Sequence, residues 1–405
     1  MAAPKRIPIL GGEQTQMTNT FTIGLLATAV SASLAMANGG EGENKFQDKS
    51  PVSFKAGSGV TFDGGDDFSL TLKNRLQVQY AETFGDDVED TQNFDIRRAR
   101  TSMSGHVYNK NIHYNLMMDW TDNDSAIRDA WAQWNFVHGD GSTVGLRTGQ
   151  GKPGHGLEFT GTSAGLYFVE RSIATEFFAN SRARGAWLQG NHAESKLRWT
   201  AGVQNNGVSA AVDGDDSGDN DDNELVYVAS ANFDPMGDYV GGGKTYESWM
   251  QGDLEGAKEI KGTVGAGVAI DNRGSDNNAF GVDNESTQFN LNTAWSVSNF
   301  WVMVDYYNRT DDIVGGDSLD HDGFSGTVGY TLPKNGDSAL QWGIGARYSE
   351  FTLDDTILAD SVEQFGLVLN AFYHGHKCKT QVEFNNLDDG TDTAQQILVQ
   401  FQIII

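Results

Sequence analysis

The chain has 405 residues with 49 Gly, only 6 Pro and 11% aromatics, a balance that suits twisted strands better than helices. Its formal charge of −27 excludes wholesale nucleic-acid binding, and its single cysteine, Cys378, excludes an internal disulfide or a cysteine-based metal cluster. No stretch offers the ~18 apolar residues of a membrane helix, which leaves open a membrane crossed by strands.

The chain opens with a processing signal. FTIGLLATAVSASLAMAN, Phe21 to Asn38, is a short apolar run ending in Ala35-Met36-Ala37, the pattern of a signal-peptide core with its cleavage site. Residues 1–37 are therefore expected to be a signal peptide, with initiation at Met1 or at Met17. Residues 38–67 form a Gly- and charge-rich lead on the periplasmic side, and 68–405 form a single transmembrane barrel domain.

The first strand sets the theme. In FSLTLKNRLQVQY, Phe68 to Tyr80, alternate residues are large and apolar save Asn74, and those between them are polar. Period two marks a strand with two opposed faces. Similar segments recur at about 94–108, 112–120, 129–137, 143–150, 184–190, 196–204, 224–233, 262–271, 286–297, 299–309, 322–331, 339–350, 362–374, 377–385 and 394–405. An all-β antiparallel barrel of about 16 strands is the expected fold, since only a closed barrel satisfies every backbone group in lipid. Ile112, Tyr114, Leu116, Met118 and Trp120 would face lipid, as would Leu340, Trp342, Ile344, Ala346 and Tyr348. So would Ile397, Val399, Phe401, Ile403 and Ile405 at the chain's end.

The connections alternate between short turns and longer acidic loops, as in outer-membrane barrels. Residues 234–261 break the rule: a short turn is expected there, and the length implies either a missed strand pair near 244–253 or an insertion. Seven outer connections hold 26 Asp and Glu against two Arg, a net of −24, so nearly all the acidity is in surface loops. Within one of them Asp213, Asp215, Ser217, Asp219, Asp221 and Glu224, with Gly218 at the sixth position, match the oxygen spacing of a calcium loop except for the serine. No helices flank it, and a merely acidic loop is the plainer reading. No other cofactor is indicated.

The inward faces carry base. Lys73 and Arg75 in the first strand, Arg98 and Arg100 in the second, Arg147 in the fifth, Lys196 and Arg198 in the seventh and Arg347 in the thirteenth share the polar parity. Arg184 at the start of the sixth is a further candidate. A bulge is expected before Arg97, because Phe94 and Ile96 otherwise share that parity. Inward acids are expected at Asp119, Asp129, Asp305, Glu350 and Glu383. Between the fifth and sixth strands lies GKPGHGLEFTGTSAGLYFVERSIATEFFANS, Gly151 to Ser181, apolar and aromatic where the other loops are acidic. Folded into the mouth it would bury itself and narrow the pore, with Lys152 at its root. A narrow pore lined by guanidinium and ammonium groups suits oxyanions.

FKAGSGVTFDGGDDFSLTLKNRLQVQY, FDIRRARTSMSGHVY, DAWAQWNF, GLRTGQGKPGHGLE, FVERS, GARYSEFTLDD and VQFQIII together resemble the phosphate-selective porins O and P of Gram-negative bacteria. The resemblance covers most of 54–405 in order and spacing. It implies a trimeric, sixteen-stranded outer-membrane porin, a constriction shaped by the third outer loop, and an Arg/Lys ladder drawing phosphate inward. Arg98, Arg100, Arg147 and the inward bases of strands one and seven match that ladder. The partners implied are inorganic phosphate or other small anions, outer-membrane lipid and lipopolysaccharide, and two further copies of the chain. A general or cation-preferring pore, its arginines neutralised by inward acids, is the alternative. The eight histidines are scattered, and no Ser/His/Asp spacing suggests an enzyme.

Overall fold

A computed structural model describes residues 51–85, 89–121, 127–179, 182–205, 225–237, 249–273, 284–336, 340–354 and 361–405. A hairpin of β1 (Val52–Lys55) and β2 (Gly59–Asp63) precedes the barrel. The barrel itself is β3 (Phe68–Gly85), β4 (Thr91–Val107), β5 (Ile112–Asp119), β6 (Ile127–Gly139), β7 (Ser142–Gly151), β8 (Ala183–His192), β9 (Leu197–Gln204), β10 (Val226–Met236), β11 (Lys261–Arg273), β12 (Asn284–Val297), β13 (Phe300–Ile313), β14 (Ser318–Thr331), β15 (Gln341–Thr352), β16 (Ser361–Phe372), β17 (Cys378–Asp388) and β18 (Thr393–Ile404). Each strand pairs antiparallel with the next, and β18 closes on β3, with Gln400 opposite Gln79 and Ile404 opposite Arg75. All sixteen expected strands are present.

Several strands overrun their expected ends. Tyr80 pairs with Phe94 and Glu82 with Gln92, and Thr310 bonds Asp320 across the ladder at 2.7 Å. Polar residues read from sequence as loop thus continue the ladder beyond the apolar belt, where water covers both faces. The bulge before Arg97 is present: the register slips between Gln77 and Gln79, which turns Phe94 and Ile96 outward and Arg98 inward.

The outward apolar faces agree with the sequence parity. Trp342, Ile344 and Tyr348 are exposed, as are Phe365, Leu367 and Leu369 on β16. The inward face is less uniform. Trp301, Met303, Phe372 and Val368 point into the barrel and join Leu157, Tyr167, Phe168 and Trp249 in a buried apolar cluster. Phe178, Tyr307, Phe351, Leu353 and Val362 form a second. These clusters are cores inside the lumen, and the loop between β7 and β8 supplies their centres.

The β7–β8 loop carries two short helices, α1 (Leu157–Thr160) and α2 (Ile173–Phe178), with a 3₁₀ turn at Ser163–Gly165 between them. Ser172 caps α2 by accepting the Thr175 N–H at 3.2 Å. A Cβ on Gly323 would fall 2.4 Å from the Phe178 ring, so that glycine makes the room in which α2 seats against the wall.

The β10–β11 connection also turns inward. Its described part, 249–260, carries no strand; of the strand pair considered near 244–253, residues 244–248 lie outside the described residues. Gln251 is held on four sides. Its N–H donates to Gly165 O at 2.8 Å and its side-chain oxygen accepts the Tyr167 N–H at 2.7 Å. Its amide donates to Glu158 at 3.3 Å, and its carbonyl accepts from His376 Nε2 at 2.7 Å. An insertion entering from the end that carries the β1–β2 hairpin and Ile405 therefore meets the loop entering from the other end.

Residues 52–63, read from sequence only as part of the lead, extend the sheet. Val60 pairs with Leu72 and Asp63 with Ser69, while Ile405 exchanges backbone bonds with Asn74. The hairpin continues the line of β18 past the chain's last residue, and Lys377 reaches across to Ser58 Oγ at 3.0 Å.

Leu367 lies mid-strand on the apolar outer face. Leu367→Arg should destabilise the folded barrel by about 2–4 kcal/mol, the cost of a cation near the bilayer midplane. Reversible urea unfolding in lipid measures this, and an unaltered midpoint would refute the assignment of that face to lipid.

Candidate functional site

The β7–β8 loop leans on β12–β18 because wall side chains meet its backbone. Lys379 Nζ donates to Leu166 O at 2.6 Å, Gln381 and Asn370 to Tyr167 O at 2.8 and 3.0 Å, and Gln402 to Ala164 O at 2.9 Å. Glu383 accepts the Val169 N–H at 2.5 Å, and Asp305 accepts the Leu157 N–H at 3.0 Å. Open space remains between the loop and β4–β9, including a chamber of about 520 Å³.

Bases gather along that gap. Arg75 stands opposite Arg100 in the β3–β4 ladder, and the charges acting on it are those of Arg98, Arg182 and Arg171, opposed by that of Asp119. Like charges set side by side repel unless something neutralises them. Three carboxylates do part of this. Glu170 of the loop takes Arg98 Nη2 and Arg97 Nε, each at 2.7 Å. Asp119 takes Arg100 Nε at 2.5 Å, and Asp129 takes Arg182 Nε at 2.7 Å. Farther along, Arg198 makes a two-pronged pair with Asp234, at 3.0 and 2.5 Å. Arg147 donates to Gln133 at 3.0 Å and lies 3.9 Å from the Trp131 ring centre. Lys73 and Arg75 form no ion pair with any carboxylate among the described residues.

Glu170 holds the loop to the wall. Burial alone would raise its pKa, but the fields of Arg98 and Arg97, and the bonds they donate, outweigh that and pull it down to about 2.

A family model describing the phosphate-selective porins O and P matches residues 68–378. The chain belongs to that family. None of the curated proteins matches it. Among solved structures it resembles the anion-selective porin from Comamonas acidovorans, with a TM-score of 0.53 at 9% identity over 83% of this chain and 99% of that one. OprB of Pseudomonas putida gives 0.53 at 9% over 83% and 94%, and the outer-membrane channel DcaP of Acinetobacter baumannii 0.51 at 13% over 85% and 100%. At such identities these likenesses speak for the barrel alone. The protein is an outer-membrane porin of a Gram-negative bacterium, a channel rather than an enzyme.

For this porin several expected positions need correction. Arg184 faces outward, exposed and 3.4 Å from Gln150, because it shares the parity of Leu188 and not of Trp187. Lys196 belongs to a turn, with φ 51°, ahead of a strand that starts at Leu197. Arg347 is inward but shut in: it pairs with Glu383 at 2.8 Å, donates to Glu170 O at 2.9 Å and lies over Phe168. Lys152 braces its own loop, donating to Phe159 O and Gly161 O at 2.6 and 2.7 Å. Glu350, expected inside, faces outward and accepts from the Tyr348 hydroxyl. Asp119, Asp129, Asp305 and Glu383 are inward as expected. The calcium-like segment 213–224 and the signal segment 1–37 lie outside the described residues.

Arg97 and Arg171 were not read as part of the cluster. The sign was there in Glu170-Arg171: two opposite charges inside an apolar loop bound for the interior need partners on the wall.

Because the folded pKa of Glu170 lies below its ordinary 4.5, its pairing contributes stability that is complete above that value and lost as pH falls toward 2. Single-channel records should therefore turn noisy as pH is lowered from 5 to 2. Glu170→Gln should be noisy already at pH 7 and lose that step. A quiet variant at neutral pH would show that Glu170 does not restrain the loop.

Proposed function

We propose that this porin gives passive passage to small anions, phosphate or polyphosphate among them, through the gap between the inward loop and β3–β9. The observation that carries the reading is the crowd of guanidinium and ammonium groups along that gap, in which Lys73 and Arg75 have no described carboxylate partner. Guanidinium groups match phosphate oxygens two by two and stay charged at every working pH. Arg98, Arg100 and Arg198 act in this reading as partly neutralised members that shape the field, with Arg147 beside the chamber. Lys152 and Arg347 support the loop, and Arg184 and Lys196 take no part. Within the same reading the chain is exported through a signal peptide at 1–37 and assembles as a homotrimer. Its acidic outer loops then border lipopolysaccharide and its bridging divalent cations.

A second reading rests on Asp119, Asp129, Glu170 and Asp234. If these carboxylates and the acidic loops prevail, the pore is general or cation-preferring. Screening over about 8–10 Å in salt weakens the loops more than it weakens groups inside the gap, which favours the first reading.

Reversal potential in a KCl gradient across a planar bilayer decides between them. The wild type should reverse on the chloride side. The double variant Lys73→Ala, Arg75→Ala should lower the chloride-to-potassium permeability ratio about fivefold, since such charges across a wet lumen are worth ~1 kcal/mol. A wild-type reversal on the potassium side would overturn the anion reading.

A further inference from the structure

Beneath the inward loop, toward the periplasm, lies the chamber of about 520 Å³. Its described lining includes Arg147, Lys152, Arg198 and His113 and contains no Asp or Glu. It is rich in amides, with Gln133, Asn135, Gln189 and Asn191 on its walls. It also offers hydrogen-bonding atoms that no described residue uses. Among the described residues the indole N–H of Trp131 has no hydrogen-bond partner, and neither has the hydroxyl of Thr200, a residue 1% exposed. Gly154, at φ +88°, leaves space in front of that hydroxyl: a Cβ there would come within 3.4 Å of it.

An inorganic phosphate accounts for little of this. Its oxygens mostly accept, its one or two P–OH groups use few acceptors, and it is small against a chamber of this volume. Side-chain amides both donate and accept, as sugar hydroxyls do, and the indole N–H of Trp131 adds a donor beside them. Orphaned buried polar groups ask for a partner. We propose that the chamber is a subsite for hydroxylated organic phosphates, of which a hexose phosphate is the type. The phosphate lies toward Arg147 and the hydroxyls meet the amides, Trp131 Nε1–H and Thr200 Oγ. The proposal rests on the anion reading above and extends it from charge to substrate shape.

Block of chloride current through the full-length channel in planar bilayers tests it, with glucose 6-phosphate, inorganic phosphate and glucose as separate blockers. Glucose 6-phosphate should half-block at a concentration at least about tenfold below that of inorganic phosphate, and glucose should not block. Trp131→Phe and Thr200→Val each remove one polar atom and little volume. Each should weaken glucose 6-phosphate block about 3- to 10-fold, the worth of one hydrogen bond, and leave phosphate block unchanged. Equal block by both phosphates, or variants that shift both equally, would overturn the subsite and leave the anion reading intact. Block by glucose as strong as by its phosphate would make the chamber a neutral-sugar site. A potassium-side reversal with block by neither phosphate would defeat the anion reading itself.

Discussion

Backbone inside a barrel must find hydrogen bonds, and the β7–β8 loop brings some thirty residues of it into the lumen of this porin. The wall was written to receive them. Amides, a lysine and two carboxylates on β13, β16, β17 and β18 reach the carbonyls and N–H groups from Leu157 to Val169. Apolar side chains on the same wall, Trp301, Met303, Val368 and Phe372, take up the loop's rings. Both kinds of contact lie on one side of the lumen, so that side becomes a packed core, while the chamber of about 520 Å³ lies against the other. The channel's cross-section is set by this one docking.

The insertion at 249–260 makes the docking two-sided. Trp249 enters the same apolar cluster, its carbonyl accepts the Thr162 N–H at 3.3 Å, and Gln251 grips both the loop and His376. Gly161 and Gly165 are the points of contact: a Cβ at either would strike Trp249 or Met250 at 2.5 and 2.6 Å. The loop is thus clasped between an outer-end approach and a periplasmic one. The sequence showed an overlong connection there but no use for it. Its partners are backbone atoms of a segment some ninety residues away, and a pattern of residue types carries no trace of such pairing.

Period-two alternation made the barrel legible, strand by strand, because lipid enforces it on every outward position. The lumen enforces nothing comparable. Parity separated Arg98, Arg100 and Arg147 from the lipid face but did not say which inward bases would be covered. Arg347 has the same parity and lies under Phe168. Arg184 failed for another reason: Trp187 and Leu188 are both large and apolar, so residue type did not say which parity faces in, and it is Trp187 that takes the lumen. Glu350 sits beyond the apolar belt, where an outward carboxylate meets water and a tyrosine hydroxyl, so the rule that excludes acids from the outer face no longer holds.

The charge on this porin is arranged in opposition. Acid crowds the outer connections and base crowds the gap beneath. An anion approaching through the first field meets repulsion that salt screens within about 8 Å. Inside, the narrow wet gap holds less salt, and the field of the bases is screened less. The carboxylates Glu170, Asp119 and Asp129 are what make such a crowd of base foldable. Each is held against guanidinium by distances of 2.5 to 2.7 Å. Each removes the worst repulsion between neighbouring guanidiniums. Full neutralisation would forfeit attraction for anions. None at all would leave adjacent guanidiniums such as Arg75 and Arg100 facing each other with nothing between. In the proposed anion reading, partial pairing meets both demands, and Lys73 and Arg75, which make no ion pair among the described residues, supply the attraction.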